Sequence, residues 1–280
     1  MLTVLITGAS SGIGAATALH LDAQGHRVFA GVEAPDDGQA ALAGASGRLR
    51  RIVLDVTSAG SIAAALGEVE GELGGARLDA VVNNAGIAVS GPVELLPVDD
   101  LRRQLDVNVV GQVAVTQATL PLIRRGHGRV VLMSSIGGRV ASQFAGAYYA
   151  SKHALEAIGD ALRQELDEED VPVVLVEPSI ISTPIWEKAI AYLDGLAMRA
   201  PADRYARYRD RIAAFRENLR SADEKGRSPQ DVAEVVEKAL TADKPDARYV
   251  VGAEAKLLGA LRPLIPDRVA DKLAERTASP

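Results

Sequence analysis

ITGASSGIG, residues 6–14, overlaps the end of the apolar run LTVLIT at 2–7. A short run of this kind reads as a buried strand, and the pattern from Gly12 to Gly25 reads as a helix ending on glycine. Gly8, Gly12 and Gly14 let the chain turn tightly between the two and bring the helix N-terminus close to a bound group. Unpaired N–H groups and the positive end of the helix dipole favour an anion there, above all a pyrophosphate. Glycines also occur in turns that bind nothing. Here a strand precedes the turn and a helix follows it, which is the context a dinucleotide site requires. Gly8, Ser10, Ser11, Gly12, Ile13 and Gly14 are therefore expected to line such a site.

Working outward, apolar strand candidates recur at 26–32, 50–56, 78–84, 128–135, 171–177 and 248–252. Helical patterns fill the intervals, at 35–45, after Ser58 or Ser61 as cap, at about 98–125 and at 147–169. The apolar runs are continuous rather than alternating, as expected of a parallel sheet covered by helices on both faces. This strand–helix alternation predicts an α/β, doubly wound fold of Rossmann type. Residues 184–227 depart from it, with helical periodicity and no strand over a length too great for an ordinary connection. They are expected to form an inserted helical lid on a single domain spanning 1–280, with a helical tail at 253–280.

Composition narrows the function. The 280 residues are 48% hydrophobic and 24% charged, with a net charge of −6 and a pI near 5.4. That balance carries no basic footprint for nucleic acid. There is no cysteine and the four histidines are scattered, so neither disulfides nor a metal site is expected. No signal peptide and no membrane span is read from the sequence, which predicts a soluble, cytoplasmic protein.

A second stretch carries the chemistry: AGAYYASKHALEA, residues 145–157. On a helix, Tyr148 and Lys152 share a face one turn apart, either as an ordinary surface pair or as an acid beside a cation. The glycine spacing is Thr-Gly-x-x-x-Gly-x-Gly, NNAG stands at 83–86, and Tyr-x-x-x-Lys at 148–152. Together, in this order, these motifs resemble the short-chain dehydrogenase/reductase family over residues 2 to about 252.

The resemblance implies a seven-stranded sheet, mostly or wholly parallel, and a catalytic group of Asn108, Ser135, Tyr148 and Lys152, separated by 27, 13 and 4 residues. It implies cofactor contacts at Asp55 and Val56 near adenine, and at Asn83, Ala85 and Gly86 in NNAG. Pro178, Ile181 and Thr183 match the segment near the nicotinamide, with Ser179 where the family usually has glycine. Asn108 is implied to hold a water that links Lys152 to solvent, and Lys152 to hold the nicotinamide ribose. A homodimer or homotetramer is implied as well.

A phenol has a pKa of about 10 and is a poor base at neutral pH. A nearby ammonium and an oxidised nicotinamide are expected to lower it, so that Tyr148 can trade a proton while hydride moves. Ser135 is expected to hydrogen-bond the substrate oxygen. After the second strand Val32 stands where an acid is usual, followed by Glu33, whose carboxylate would repel a 2′-phosphate. NAD is thus expected in preference to NADP. Ile136, Gly137, Phe144 and Tyr149, with Trp186, Ile190, Tyr192, Leu193 and Met198, are candidates for an apolar wall suited to a hydrophobic alcohol or ketone. The competing reading of the insertion's aromatic residues is that they pack on its own helices or at a subunit contact. Two alternative functions are a catalytically idle dinucleotide-binding regulator and a sugar-nucleotide epimerase or dehydratase.

Overall fold

In the computed structural model, residues 1–253 are described, together with 261, 265, 266, 268 and 269. The helical tail expected over 253–280 thus falls, for the most part, outside the described residues. Strand β1 (Thr3–Ile6) leads into helix α1 (Gly12–Ala23), then β2 (Arg27–Val32), β3 (Leu49–Val53), α2 (Ala59–Leu73) and β4 (Ala80–Asn83). The second half runs α3 (Val98–Leu105), α4 (Gly111–Arg124), β5 (Arg129–Met133), α5 (Gly146–Glu165) and β6 (Val173–Pro178). Helices α6 (Ile185–Arg199), α7 (Ala202–Ala206), α8 (Arg209–Lys225) and α9 (Pro229–Thr241) precede β7 (Arg248–Val251).

Among the described residues the seven strands form one all-parallel sheet in the order β3-β2-β1-β4-β5-β6-β7. Side chains alternate across it. Val4 and Ile6 join an apolar layer with Ala18 and Leu21 of α1 and Val232 and Val236 of α9. Leu5 points the other way, into a layer with Ile62 of α2, Val115 of α4 and Leu155 of α5. The chain order reverses between β1 and β4, so a crevice opens at the C-terminal ends of these two strands.

Four local expectations are changed or narrowed. Residues 35–45 form a series of turns, not a helix. Gly38 and Gly44 take φ of +72° and +86°, and Arg51 of β3 donates to the carbonyls of Pro35 and Asp37. Ser58, not Ser61, caps α2, its hydroxyl accepting from the Ser61 N–H. The helical stretch from 98 to 125 is interrupted by a π-helical turn at Asp106–Val110. The helix expected over 147–169 stops at Glu165, and a 3₁₀ turn at Asp167–Glu169 closes on Asp170 in the left-handed region.

Helices α6 to α8 form the insertion. Ala189, Leu193 and Leu196 of α6 and Ile212 and Leu219 of α8 join Leu95, from the turn before α3, in a small apolar cluster apart from the two layers that sandwich the sheet. The segment entering α6 is stitched to the segment leaving α8. Arg227 donates its N–H to the Ile180 carbonyl and accepts from the Ser182 N–H.

Candidate active site

The glycine turn is shaped by close approach. Gly8 and Gly12 have φ of +64° and +53°, a region where L side chains are strained. A methyl at Gly8 would come within 2.7 Å of Ala85 Cα, and one at Gly14 within 2.3 Å of the Gly8 carbonyl oxygen. The turn is therefore stacked on the NNAG loop with no room for a Cβ. Two side chains tie these loops together. The Thr7 hydroxyl accepts from the N–H groups of Asn84 and Ala85, each at 3.0 Å. The Asn84 amide donates to the carbonyls of Thr7 at 3.0 Å and Gly8 at 3.1 Å. Both residues lie inside the motifs read from the sequence, yet neither was singled out there.

Ser11 caps α1 without a side-chain hydrogen bond, and the first turn holds no acidic residue. The leading N–H groups of α1 are thus left for an external anion, and the missing Cβ atoms leave the backbone open to it. This cradle fits a dinucleotide pyrophosphate. Thr183 faces it, its Cβ 3.2 Å from where a Gly12 Cβ would stand, and Ser10 lies against Gly38. Ile13 packs on the apolar layer beneath.

Other residues expected around a cofactor fall into different roles. Asn83 is fully buried and its amide donates to Thr116 of α4 at 2.9 Å. Asp55 shapes the turn after β3, accepting from the N–H and hydroxyl of Thr57 at 2.8 and 2.7 Å. Val56 packs on Gly111 at the start of α4, and Gly86 approaches the Asn108 amide. Glu33 is exposed just past the end of β2. Pro178 ends β6, and the Ser135 hydroxyl lies 3.5 Å from its carbonyl. Ser179 continues the pairing with β7 through its N–H to the Val251 carbonyl. Ile181 is buried, and its carbonyl accepts from the Trp186 indole at 2.6 Å.

The four residues of the expected catalytic group lie on three parts of the fold. Lys152 of α5 is 4% exposed and donates to the Met133 carbonyl at the end of β5, at 2.7 Å. Its Nζ lies 5.7 Å from the centre of the Tyr148 ring, one turn earlier. Ser135, just past β5, accepts from the Gly137 N–H at 3.0 Å. Asn108 is fully buried on the π-helical turn. Its amide donates to the Ile87 carbonyl at 3.0 Å and to the Ser151 hydroxyl at 3.2 Å, and accepts from the Ile87 N–H at 2.8 Å.

The electrostatics run against one expectation. Burial pushes the Tyr148 phenol above its ordinary value, and the hydrogen-bonding Ser135 hydroxyl only partly offsets this. Burial also lowers Lys152, to about 8, with Glu156 opposing the change. Desolvation disfavours both charged forms at once. Both shifts favour the neutral forms, a protonated phenol and a free amine.

With this geometry in hand, known proteins give a family. The model of the short chain dehydrogenase family matches residues 2–192. The chain belongs to that family. It is 35% identical to the NADPH-dependent 3-dehydrocapnine reductase of Ornithobacterium rhinotracheale, over 98% of this chain and 96% of that one. It is 36% identical to retinol dehydrogenase 5 of Mus musculus, over 96% and 86%. A solved short-chain dehydrogenase from Streptomyces avermitilis superposes with a TM-score of 0.75 at 28% identity, covering 98% of this chain and 95% of that chain. The chain is an NAD(P)-dependent oxidoreductase of this family.

In this short-chain dehydrogenase the expected substrate-side residues divide. Ile136, Gly137 and Tyr149 stay beside Tyr148. The Tyr148 and Tyr149 ring centres are 6.0 Å apart, and a methyl at Gly137 would meet Tyr149 at 2.9 Å and Tyr148 at 3.3 Å. The Tyr149 hydroxyl pairs with Ser142 at 2.9 Å. Trp186, Ile190 and Leu193 belong to the insertion's own cluster. Phe144 is clamped edge-on by Tyr208 and Phe215, with the Arg211 guanidinium 5.0 Å over its ring. Tyr192 donates to Asp100 of α3 at 2.5 Å under the Arg199 guanidinium, and Met198 is exposed. Arg211, itself exposed, covers the outer side of the Phe144 and Tyr208 rings. Among the described residues no helix is long and apolar enough to cross a membrane.

Proposed function

We propose that this enzyme interconverts a hydrophobic secondary alcohol and its ketone, with Tyr148 as the acid and base and NAD as the preferred cofactor. One observation carries the reading: Tyr148, Ser135 and Lys152 meet at the C-terminal end of β5, on the same side of the sheet's crevice as the glycine cradle. The nicotinamide, when bound, supplies the acceptor or donor of hydride. The chain's residues do the rest. Gly8, Gly12 and Gly14 with the α1 N-terminus hold the pyrophosphate, and Asn84 and Thr7 keep the cradle in shape. Ser135 donates to the substrate oxygen, and Tyr148 exchanges a proton with it. Lys152 holds the ribose and places positive charge beside the phenol. In ketone reduction the protonated Tyr148 donates to the carbonyl oxygen. Alcohol oxidation further needs the positive charge of the oxidised cofactor to release that proton.

The substrate class rests on the name of the retinol dehydrogenase relative and on the aromatic rings of Tyr148 and Tyr149 packed over Gly137. The cofactor preference rests on Glu33, an exposed carboxylate at the end of β2. A relative named as NADPH-dependent weighs on the other side. Tyr148→Phe is expected to fold and bind cofactor while losing more than 99% of turnover, beyond about 2.7 kcal/mol of transition-state stabilisation. Retention of a tenth of the wild-type rate refutes the assignment. Comparing kcat/KM for the two cofactors tests the second point, and a clear preference for NADP overturns it.

A further inference from the structure

Among the described residues three that are not glycine take a left-handed backbone: His127 at φ +52°, Asp170 at +53° and Phe144 at +66°. Histidine and aspartate enter this region more readily than most, whereas a bulky side chain is strained there. Such strain persists only where the surroundings hold it, and it gathers at functional sites. Phe144 stands one residue before the cap of α5, which begins at Gly146 and carries Tyr148 in its first turn.

Two sets of contacts hold Phe144. Its ring is 5% exposed and meets Tyr208 and Phe215 edge-on, with centres 6.2 and 5.6 Å away. Tyr208, between α7 and α8, is itself anchored, its hydroxyl donating to Glu94 at 2.7 Å. Arg211 of α8 lies over both rings and donates to the side chain of Gln143. The Phe144 carbonyl accepts from the Gly91 N–H at 2.6 Å. Gly91 has φ of +146°, and a methyl on it would meet Leu196 of α6 at 2.8 Å. The ring thus belongs with the insertion, while the backbone runs into α5. Ala145, the next residue, accepts from the Tyr149 N–H at 3.0 Å. A rotation of the backbone at 144 is therefore passed to the turn that carries Tyr148.

We infer that Phe144 is a positioning residue for Tyr148: the clamp on its ring keeps its backbone left-handed, and that conformation sets the first turn of α5. This rests on the reading of Tyr148 as the acid and base. The insertion thereby acts on the phenol through the backbone at 144.

Glycine and alanine at this position test it. Both lack the ring, but glycine enters the left-handed region without steric cost and alanine does not. The full chain is labelled at ¹³Cζ of tyrosine and read by NMR without cofactor, with Tyr148→Phe and Tyr208→Phe assigning two resonances. That of Tyr208 is expected to move in both variants, since its partner ring is gone. That of Tyr148 should move in Phe144→Ala and stay near its wild-type position in Phe144→Gly. For a hydrophobic ketone that the wild type reduces, kcat should be at least about fivefold higher in Phe144→Gly than in Phe144→Ala, with an unchanged KM for the cofactor. A loss of packing alone would weaken the two alike. Phe215→Ala opens the clamp from α8 with Phe144 intact and is expected to move the Tyr148 resonance too. It stands in where circular dichroism shows Phe144→Ala unfolded. A Tyr148 resonance that moves equally in folded Phe144→Gly and Phe144→Ala, or in neither, overturns the inference, and so does an unmoved one in folded Phe215→Ala. A difference in the resonance without one in kcat upholds the placement and instead refutes the part of Tyr148 in turnover.

Discussion

Lys152 is kept in the interior at a cost, since its folded value of about 8 lies well below the ordinary 10.5. Below pH 8 both folded and unfolded chains hold the proton, and the folded chain bears the full penalty of a desolvated charge. Between about 8 and 10 the folded lysine sheds a proton that the unfolded chain keeps, so stability rises with pH there. Above 10 the raised Tyr148 acts in the opposite sense, because the unfolded phenol ionises first. Lys152→Met is therefore expected to be inactive yet more stable than the wild type at pH 7, by about 1–2 kcal/mol. Urea denaturation at pH 7 and pH 9.5 checks this, and the gain should shrink at the higher pH.

Gly14 is constrained differently. An added methyl meets the Gly8 carbonyl at 2.3 Å and the Asn84 amide at 2.5 Å, and neither can retreat without breaking the Asn84 bonds. Gly14→Ala is expected to cost about 1–3 kcal/mol and to weaken dinucleotide binding at least tenfold, as read by calorimetric titration.

At the scale of elements, the sequence was most legible where a motif and a period agreed. LTVLIT and the glycine turn gave β1 and α1, and the continuous apolar runs gave the remaining strands within a few residues. It was least legible where backbone geometry departs from both templates. The π-helical turn at Asp106–Val110 has no period of its own, so nothing in DVNVV distinguishes it from an α-helix. Residues 35–45 show a helical apolar pattern, but the left-handed glycines at 38 and 44 break it. The role of Phe144 was hidden for another reason. Its partners Tyr208 and Phe215 lie more than sixty residues away, and local pattern does not report such contacts. Phe144→Ala is expected to cost about 3 kcal/mol and to speed amide hydrogen exchange in α6 and α8 without changing it in β1, β4 and β5. Uniform exchange across these elements speaks against Phe144 as the clamp.

For the whole molecule, strand order follows from parallel pairing and crossover connections, so a doubly wound sheet was readable from alternation alone. Tyr148 and Lys152 could be placed side by side from their spacing of one helical turn, and the structure sets them so, with Nζ 5.7 Å from the ring centre. The direction of the Tyr148 shift was not readable, because desolvation depends on packing from β5, α5 and the 135–138 turn together. Charge partners on distant strands, such as Arg248 beside Glu156, are equally silent in the linear order.

The apolar cluster that α6 and α8 form with Leu95, apart from the two layers that cover the sheet, has a consequence for how such an enzyme diversifies. Because that cluster shares no buried residue with the layers that flank the sheet, replacements within it leave the packing under the glycine turn and behind Tyr148 as it is. Provided the Phe144 clamp is kept, selectivity and reactivity then become separately heritable traits within one polypeptide.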